Sequence, residues 1–307
     1  MIDLADIRFL SAIAAAPSLA AAARSLDVTP PAVSQRLAQL EERLHLRLVE
    51  RGRGPIKLTA EGELLLERAD VILGDLETLI DELAARAGRI AGPLHVIAPF
   101  GFGRLRVAPV LGRFAQDNPD LRPTLTLSED PRGAMRAAAW DVLIHVGRLP
   151  DLDIVQRKLA PNRRLLVAAP AYVERFGLPR TPNEIAEHRV GVVREDQADV
   201  TLWPLTGPEG TAASLRVHPV FASNDGEVIR AWAMAGLGIV ERSEWSVVED
   251  VCAGRLVRVL PDWSLPDADV VALLNPRAVR AARVEAFTNR LATALEQKGM
   301  PCLEDCS

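Results

Sequence analysis

Residues 19–41 read LAAAARSLDVTPPAVSQRLAQLE, and this stretch decides the fold of the N-terminal part of the chain. Ser18 is suited to cap a short helix over residues 19–26, because a serine hydroxyl accepts a hydrogen bond from a free amide at a helix start. Thr29 is suited to cap a second helix over residues 30–43, whose first residue is a proline that loses no hydrogen bond there. Two helices joined by so short a turn predict a helix-turn-helix motif.

The segments on either side of this motif extend it to a winged unit. Residues 3–15 have the apolar periodicity of a preceding helix. Residues 48–51 and 56–58 flank a turn that is rich in glycine and proline. This arrangement predicts two short strands that form a β-wing.

Residues 60–86 predict one long helix with a continuous apolar seam. Apolar residues recur with alternating spacings of four and three, namely Leu65, Ala69, Ile72, Leu76, Leu79 and Leu83. This spacing is typical of a coiled coil, and a second copy of the chain is the simplest partner for the seam. The alternative is that the helix packs on its own domain.

From residue 94 onwards, strand and helix patterns alternate. Residues 94–146 predict a βαβαβ unit with a parallel sheet. A second set of such elements begins near residue 162, and a strand over 269–274 and a helix over 277–297 end the pattern. Two α/β lobes of similar size predict a cleft between them, which is a common place for a ligand.

The charge distribution makes the N-terminal part the candidate partner of an anion. The chain has 307 residues and a net charge of −5, whereas residues 1–58 hold eight basic and six acidic residues and so carry +2, which leaves −7 for the remainder. A basic head on an acidic body favours the binding of nucleic acid by the head alone.

The helix-turn-helix geometry assigns candidate contacts with DNA. The second helix enters the major groove with residues near its start facing the base edges, which places Ser34 and Gln35 at the bases. A glutamine side chain can pair with adenine through two hydrogen bonds. The basic side chains that can reach phosphates are Arg36, Arg51, Arg53 and Lys57.

The stretch 19–41, continued by LVER at 48–51 and LTAEG at 58–62, resembles the N-terminal signature of LysR-type transcriptional regulators. The long helix and the paired lobes are similar to that family too, so the resemblance covers essentially the whole chain. It implies an α/β fold class: an N-terminal winged helix-turn-helix, a long linker helix and a two-lobed α/β effector-binding domain of the periplasmic-binding-protein type. The expected domains are a DNA-binding domain over 1–59, a linker (dimerisation) helix over 60–89 and an effector-binding domain over 90–307, with lobe I at about 90–161 and 268–300 and lobe II at about 162–267.

The resemblance also implies a function. We expect a cytoplasmic transcriptional regulator that binds double-stranded promoter DNA as a homodimer or a homotetramer, with RNA polymerase as a further candidate partner. By the family pattern, the base-facing positions next to Thr29 are Pro30, Pro31, Ser34 and Gln35. Many members have glutamine where Pro30 stands and arginine where Gln35 stands, so we expect a different preferred operator.

The resemblance to periplasmic solute-binding proteins places the effector between the lobes. In open α/β sheets, ligands bind at the carboxyl ends of strands, near helix N-termini that favour anions. We expect a cleft with aromatic walls and few polar groups, and a small organic effector for which a carboxylate is one candidate. The candidate effector-binding residues are Phe100, Gly101, Phe102, Ser128, His145 and Gly147 in lobe I, and Thr201, Trp203, Asn224 and Asp225 in lobe II.

Several of these residues have a purely structural alternative. His145 is suited to be a hydrogen-bonded residue at a strand end, and Asn224 and Asp225 are suited to cap a helix. Phe100 and Phe102 are suited to a hydrophobic core.

No signature of catalysis is present, so we expect no enzyme activity, no cofactor and no metal. The chain has no G-x-S-x-G, H-E-x-x-H or P-loop pattern and no clustered metal ligands. One alternative is an enzyme with a DNA-binding head, similar to biotin-ligase repressors. Another is a periplasmic binding protein whose Ala-rich start is a signal, which Asp3 and Asp6 oppose because a signal begins with positive charge. No apolar run has the length of a transmembrane helix, so we expect no membrane partner.

The three cysteines are Cys252, Cys302 and Cys306. They are too few and too widely spaced for the disulfide framework of a small secreted domain. We expect incidental thiols of a reduced protein, with a redox-sensing or metal-binding role for Cys302 and Cys306 as the alternative.

Overall fold

The computed structural model describes residues 2–14, 16–50, 56–130, 133–135, 140–147, 154–194, 199–276, 278–279 and 281–297, and for residues 70, 77, 78, 81, 82, 84 and 85 it describes the backbone alone. The chain divides into two compact units, Met1–Gly88 and Arg89–Ser307. Each unit has its own apolar core.

The first unit is helical, and its helices begin and end within one residue of the predicted positions. They are α1 (Leu4–Ala14), α2 (Leu19–Ser25), α3 (Pro30–Leu44) and α4 (Ala60–Arg86). Ser18 caps α2 as predicted, because its Oγ accepts a hydrogen bond from the Ala21 N–H at 3.1 Å. The turn after α2 places Asp27 at a φ of 53°, a conformation that aspartate tolerates better than most residues.

Helices α1, α2 and α3 pack together because each presents one apolar face. Helix α2 contributes Ala22 and Ala23, neither of which has exposed surface. Such small side chains let two helices approach closely, as a helix-turn-helix motif requires. The core of this head is formed by Phe9, Leu10, Ile13, Ala22, Ala23, Val33, Leu37, Leu40 and Leu48.

The predicted wing is present on both sides of its turn. Val49 and Leu58 form an antiparallel bridge, and backbone hydrogen bonds of 2.8 and 3.0 Å flank it. The pairing is therefore a single bridge rather than two full strands. The turn itself, at residues 51–55, lies outside the described residues.

Helix α4 begins directly against the wing because Gly62 has no side chain. A Cβ atom at Gly62 would overlap the carbonyl oxygen of Leu48. Thr59 caps the helix, since its Oγ1 accepts from the Gly62 N–H at 3.1 Å and donates to the Arg47 carbonyl at 2.6 Å. The first turn of α4 is thus fixed to the wing.

The second unit is an α/β structure with two five-stranded sheets. Its strands are β1 (Gly92–Ala98), β2 (Leu121–Leu127), β3 (Val142–Val146), β4 (Val155–Ala160), β5 (Arg164–Ala168), β6 (Val190–Val193), β7 (Leu202–Thr206), β8 (Ala212–Arg216), β9 (Pro219–Ser223), β10 (Ile239–Ser243), β11 (Val257–Val259) and β12 (Val270–Leu274). The first sheet has the order β2-β1-β3-β12-β4 and the second the order β11-β5-β10-β6-β9, while β7 and β8 form a hairpin.

Helices accompany both sheets. They are α5 (Ala108–Asp117), α6 (Pro170–Phe176), α7 (Gly226–Met234), α8 (Glu244–Cys252) and α9 (Ala282–Gln297). A helical turn (Phe100–Phe102) and a π-helical turn (Gly103–Val107) precede α5. Strands β1–β4 and β12 with helices α5 and α9 form the first lobe. Strands β5–β11 with helices α6, α7 and α8 form the second lobe.

The strand pattern of the first lobe was largely predictable. Strand β1 is parallel to both β2 and β3, as the predicted βαβαβ unit requires. Strand β4 was not predicted, because it is an edge strand whose sequence VQRKLA lacks apolar alternation. In the second lobe, the adjacent strands β8 and β9 pair with β7 and β6 respectively.

The chain passes between the two lobes twice, and both passages meet at one place. Asn162 lies in the passage from β4 to β5, and Ala268 lies in the passage from β11 to β12. The Ala268 N–H donates to the Asn162 carbonyl at 2.9 Å, and the Asn162 amide donates to the Ala268 carbonyl at 2.9 Å. The two connections therefore run side by side.

We expect Gly62→Ala to destabilise the head, although alanine is the better helix former. An alanine ordinarily favours a helix over glycine by about 1 kcal/mol, but here its methyl group forces the wing away from α4 at a cost of about 1–3 kcal/mol. Hydrogen–deuterium exchange of the full chain should show faster exchange in the wing and the first turn of α4.

Gly112→Ala is the matched control, because a Cβ there meets no atom within 4 Å. It should leave exchange in α5 unchanged or slower. If Gly62→Ala exchanges around residue 62 as slowly as the native protein or more slowly, the Leu48 carbonyl does not exclude a side chain at this position.

Candidate DNA-binding and effector sites

The outer face of α3 carries the predicted base-facing residues. Val33, Leu37 and Leu40 are buried in the head core, and the apolar period of the helix turns its other side to solvent. The predicted contacts at the start of the helix are all exposed, namely Thr29, Pro30, Pro31, Ser34 and Gln35.

Two hydroxyl groups lie at this helix start. The Ser34 Oγ donates to the Pro30 carbonyl at 3.1 Å, which leaves the oxygen able to accept another hydrogen bond. Thr29 precedes α3 with an extended backbone and makes no capping hydrogen bond through its side chain. Both side chains therefore retain hydrogen-bonding capacity toward a neighbouring molecule.

Arg36 lies against helix α1. Its Nη2 donates to the Ala5 carbonyl at 2.9 Å, and its guanidinium carbon is 4.5 Å from the centre of the Phe9 ring. These contacts hold α1 on α3 and use one of the five guanidinium donors. A structural role for Arg36 was not anticipated, and its contact with phosphate stays a prediction.

The wing presents one described cation. Lys57 is exposed, and its carbonyl accepts a hydrogen bond from the Glu50 N–H at 2.8 Å. The other two predicted wing cations, Arg51 and Arg53, lie outside the described residues.

A buried carboxylate on α3 fixes the position of the wing. Glu41 is 8% exposed and accepts from the N–H groups of Leu48 at 2.8 Å and Val49 at 3.3 Å. Arg47 completes the site with a hydrogen bond of 2.9 Å. A buried N–H that loses its acceptor costs about 1–3 kcal/mol, so Glu41 determines where the wing starts. The acidic residue directly after the buried Leu40 was the signal that sequence reasoning missed.

A second buried carboxylate joins α1 to α3. Asp6 pairs with Arg43 at 2.7 Å. Burial raises the pKa of Asp6, but the hydrogen bond from Arg43 and the N–H of Asp3 outweigh it and hold that pKa below its ordinary value. The pair therefore stabilises the head at neutral pH, and its contribution is lost as the pH falls through the lowered pKa.

In the second unit, the loops after β1 and β2 meet at the carboxyl edge of the first sheet. The Ser128 N–H donates to the Ala98 carbonyl at 2.9 Å, and the Phe100 N–H donates to the Glu129 Oε1 at 2.8 Å. These bonds bring the predicted residues Phe100 and Ser128 together, and both are half-buried.

The loop after β1 also contacts the second lobe. A Cβ atom at Gly101 would lie 3.2 Å from Cγ of Glu227 and 3.6 Å from the Trp245 ring. Arg104 pairs with Asp225 at 2.8 Å. The predicted residues Gly101 and Asp225 thus lie at the boundary between the lobes, on opposite sides of it.

The start of α7 is already occupied by a carboxylate of the chain. The Asp225 Oδ1 accepts from the Glu227 N–H at 2.8 Å and caps the helix, while Asn224 beside it is exposed. Asp225 therefore has the structural role that was its alternative. Asp225 as the cap and Glu227 in the first turn already place two acidic side chains at this helix end, which disfavours an anionic ligand there.

His145 and Gly147 lie at the end of β3. His145 is half-buried and pairs with Val271 of β12. Gly147 has a φ of 113°, and its N–H donates to the Asp269 carbonyl at 2.9 Å. A Cβ atom there would lie 3.0 Å from Nη2 of Arg164, so this strand end is close to the passage between the lobes.

The expected aromatic walls are only partly present. Phe102 is 1% exposed and belongs to the core of the first lobe, and Trp203 is 2% exposed and belongs to the core of the second. The Trp203 ring is in the core because inward positions of β7 alternate with exposed ones, whereas Phe102 is buried together with Gly101 in a helical turn. Thr201 bonds to Asp199 at the start of the hairpin rather than to the loops of the first lobe described above.

Trp245 is the residue of this boundary that sequence reasoning missed. It follows β10 at the start of α8, yet its ring packs edge-to-face on Phe102 of the first lobe with 5.2 Å between ring centres. The rule that ligands lie after the carboxyl ends of strands would have selected it. Its indole N–H and the Nε of Arg106 are buried without a hydrogen-bond partner among the described residues, and the Arg106 guanidinium is 6.0 Å from the Trp245 ring centre.

The described ranges contain no group of three or more His, Cys, Asp or Glu side chains placed to hold a metal ion. They also contain no helix that is long and apolar enough to cross a membrane.

A winged helix-turn-helix head followed by a two-lobed α/β unit defines a class of protein, the DNA-binding transcription factors that carry a ligand-sensing domain. Residues 4–63 match the model of the bacterial regulatory helix-turn-helix protein, lysR family, and residues 87–296 match that of the LysR substrate binding domain. The chain belongs to the LysR family of transcriptional regulators. It is therefore a DNA-binding regulator with an effector-binding domain, and proteins of this family are not in general enzymes.

Relatives of this family resemble the chain over nearly its whole length. It is 34% identical to the HTH-type transcriptional regulator DmlR of Escherichia coli K12 over 281 residues, which cover 92% of this chain and 91% of the relative. It is 30% identical to the transcriptional activator TtdR of the same strain, covering 95% and 94% of the two chains. The solved structure of CrgA from Neisseria meningitidis, 25% identical, covers 96% of this chain and 100% of that one with a TM-score of 0.60.

Proposed function

We propose that this regulator acts in the cytoplasm as a homodimer, or as a tetramer of two such dimers, that binds double-stranded promoter DNA and responds to a small-molecule effector held between the lobes. The observation that carries the DNA-binding part is the exposed start of α3, on a head whose wing is fixed by Glu41. RNA polymerase is the partner through which bound protein would act on transcription.

Base and phosphate contacts are proposed for different residues. Ser34 and Gln35, with Thr29, Pro30 and Pro31 beside them, face the base edges of the major groove. Prolines at the first two helical positions offer only apolar contacts there, so Gln35 supplies the directional hydrogen bonds. Phosphate contacts are proposed for Arg36 on α3 and for Arg51, Arg53 and Lys57 in the wing.

The first experiment identifies the operator. Variants then distinguish base contacts from phosphate contacts. Purified full-length protein is incubated with fragmented genomic DNA of its source organism, and the bound fragments are sequenced. We expect half-sites spaced by about one helical turn or a multiple of it. Gln35→Ala should weaken binding to this site by about 1–3 kcal/mol and relax its specificity, whereas Lys57→Ala should weaken binding to all sequences and reduce the salt slope by about 1.

Arg113→Ala is the control, because Arg113 is an exposed cation on α5, outside the head. It should leave both affinity and salt slope unchanged. If no fragment is enriched, or if Gln35→Ala binds its site as tightly as the native protein does, the proposed base-reading face is wrong.

The homodimer is proposed because the apolar seam of α4 is buried at the start of the helix but exposed further along. Leu65 packs against the head core and Ala69 is 1% exposed, so the start of the helix does pack on its own domain. Further along, Ile72, Leu79 and Leu83 are 48%, 52% and 58% exposed. Apolar side chains in a row at coiled-coil spacing are typical of a helix that pairs with another.

We expect the double substitution Ile72→Asp and Leu79→Asp to abolish dimers in sedimentation velocity, because burying unpaired charges in an apolar seam is costly. Leu64→Asp is the control, since Leu64 is 57% exposed on the same helix but outside the seam. A double variant that sediments as the native dimer would exclude this seam as the interface.

A carboxylate effector is proposed because two buried donors at the lobe boundary lack acceptors in the part of the chain that the structure describes. Arg106 belongs to the first lobe and Trp245 to the second, and an oxygen atom between them would satisfy both the guanidinium Nε and the indole N–H. Buried polar groups are nearly always hydrogen-bonded. A carboxylate offers acceptors for both and a negative charge for the guanidinium.

The effector proposal is tested by thermal unfolding of the full chain with acetate, succinate or benzoate, each compared with its amide. We expect at least one carboxylate to raise the unfolding temperature more than its amide does. Trp245→Phe keeps the aromatic packing but removes the indole donor, and should weaken that binding by about 1.5–3 kcal/mol, the contribution of a hydrogen bond to a charged group.

Trp263→Phe is the control, because Trp263 is a partly buried indole against the second-lobe core. It should bind as the native protein does. Equal effects of acids and amides would exclude the carboxylate, and unchanged binding by Trp245→Phe would exclude the indole as its donor.

A further inference from the structure

The outer face of α3 continues beyond the residues at its start. Gln35, Gln39 and Glu42 are all exposed on this helix, whereas Leu37 and Leu40 between them are buried in the head core. Four residues advance an α-helix by about 6 Å and leave the second side chain about 40° around the axis from the first. Gln39 therefore follows Gln35 on the same face, one turn further along.

The cations of α3 lie at one flank of this face, next to α1. Arg36 donates to the Ala5 carbonyl at 2.9 Å, and Arg43 pairs with Asp6 at 2.7 Å. Both partners belong to α1, so both guanidinium groups are directed toward that helix. The outer side of α3 is thus divided into a charged flank and a middle that carries two neutral amides.

A groove of about 710 Å³ follows this division along the helix. Its lining includes the side chains of the middle, Gln35, Gln39 and Glu42, and the two cations of the flank, Arg36 and Arg43. The head therefore has a concave polar surface that extends over more than two turns of α3. A second molecule that lies along α3 can reach both amides.

The two amides are not used within the head. In the described ranges, the side chains of Gln35 and Gln39 make no hydrogen bond. The hydroxyl of Ser34, by contrast, already donates to the Pro30 carbonyl. Each glutamine keeps an acceptor oxygen and two N–H donors, which is the set that pairs with the N6 and N7 atoms of adenine.

The charge beside Gln39 favours a base over a phosphate as its partner. Glu42 lies three residues further along the helix, and residues three apart are neighbours on a helix surface. Its exposed carboxylate repels a phosphate from this part of the face. A phosphate is attracted instead to Arg36 at the flank, so the middle of the face is left to the base edges.

We propose that Gln39 is a second base-reading residue, which pairs with an adenine in the major groove. The inference rests on the proposed function, in which Gln35 reads bases from the start of α3. In the recognition helices of zinc fingers, residues about one helical turn apart contact successive bases. The base pair that Gln39 reads therefore lies next to the one that Gln35 reads, and the operator is specified by more than the first turn of α3.

The test selects bound sequences from operator DNA in which one position at a time is randomised, with the full-length protein. Gln39→Ala should lower the preference for adenine at one position by about 5- to 140-fold, the discrimination that one such pair of hydrogen bonds provides. Gln39→Glu should change that preference to cytosine, because a carboxylate accepts from the cytosine amino group. Gln35→Ala should relax a different, neighbouring position.

Gln116→Glu is the matched control, because Gln116 is an exposed glutamine on α5, outside the head. It should select the native sequence. Alanine favours an exposed helical position, so Gln39→Ala should fold, and hydrogen exchange in α3 checks this.

Two results would overturn the inference alone. One is selection of the native sequence by both Gln39 variants while Gln35→Ala relaxes its own position. The other is an equal loss of affinity of both Gln39 variants for all sequences, which would show a phosphate contact. If the native protein enriches no sequence, the proposed function is overturned together with this inference.

Discussion

The two hydrogen bonds between Asn162 and Ala268 set the constraint on which the regulatory unit depends. They hold the two passages between the lobes side by side, so the lobes share one narrow connection. Two lobes joined in this way can change their relation by bending at that connection, as in hinge closure around a ligand. Residues that contact both lobes away from it, such as Arg104 and Trp245, then determine which arrangement is stable.

The contacts between the lobes differ in character. The ion pair of Arg104 with Asp225 is half exposed on its arginine side, so water and salt weaken it. Trp245, by contrast, is buried against Phe102, and separating the lobes there would expose a large apolar surface at a cost of a few kcal/mol. The aromatic contact therefore dominates, and a ligand that engages the indole acts on the stronger of the two.

In the head, buried carboxylates connect the helices and the wing. Glu41 binds the start of the wing to α3, and Asp6 binds α3 to α1. Both lie on helices whose apolar period was clear from the sequence, yet neither role was predicted. A periodic pattern identifies the buried face of a helix, but it does not tell which distant N–H or guanidinium a polar residue on that face will meet.

The same reasoning applies to the residues predicted to bind the effector, whose contacts in the fold were foreseen to different degrees. The positions of Phe100, Ser128 and Gly147 after successive parallel strands follow from local pattern alone. The inward direction of Phe102 and Trp203 depends on how each lobe closes its core, which no local pattern contains.

Gly62 gives the head a mechanical property beyond its stability. Because α4 begins against the Leu48 carbonyl with no side chain between them, the head and the start of this helix turn as one body. The helix has 27 residues, which makes it about 40 Å long at a rise of about 1.5 Å per residue. A tilt of about 5° then moves one end relative to the other by about 3.5 Å, close to the spacing of successive base pairs. In the proposed dimer, a small angular change along α4 would therefore be enough to move the proposed base-reading helix α3 by about one base-pair step.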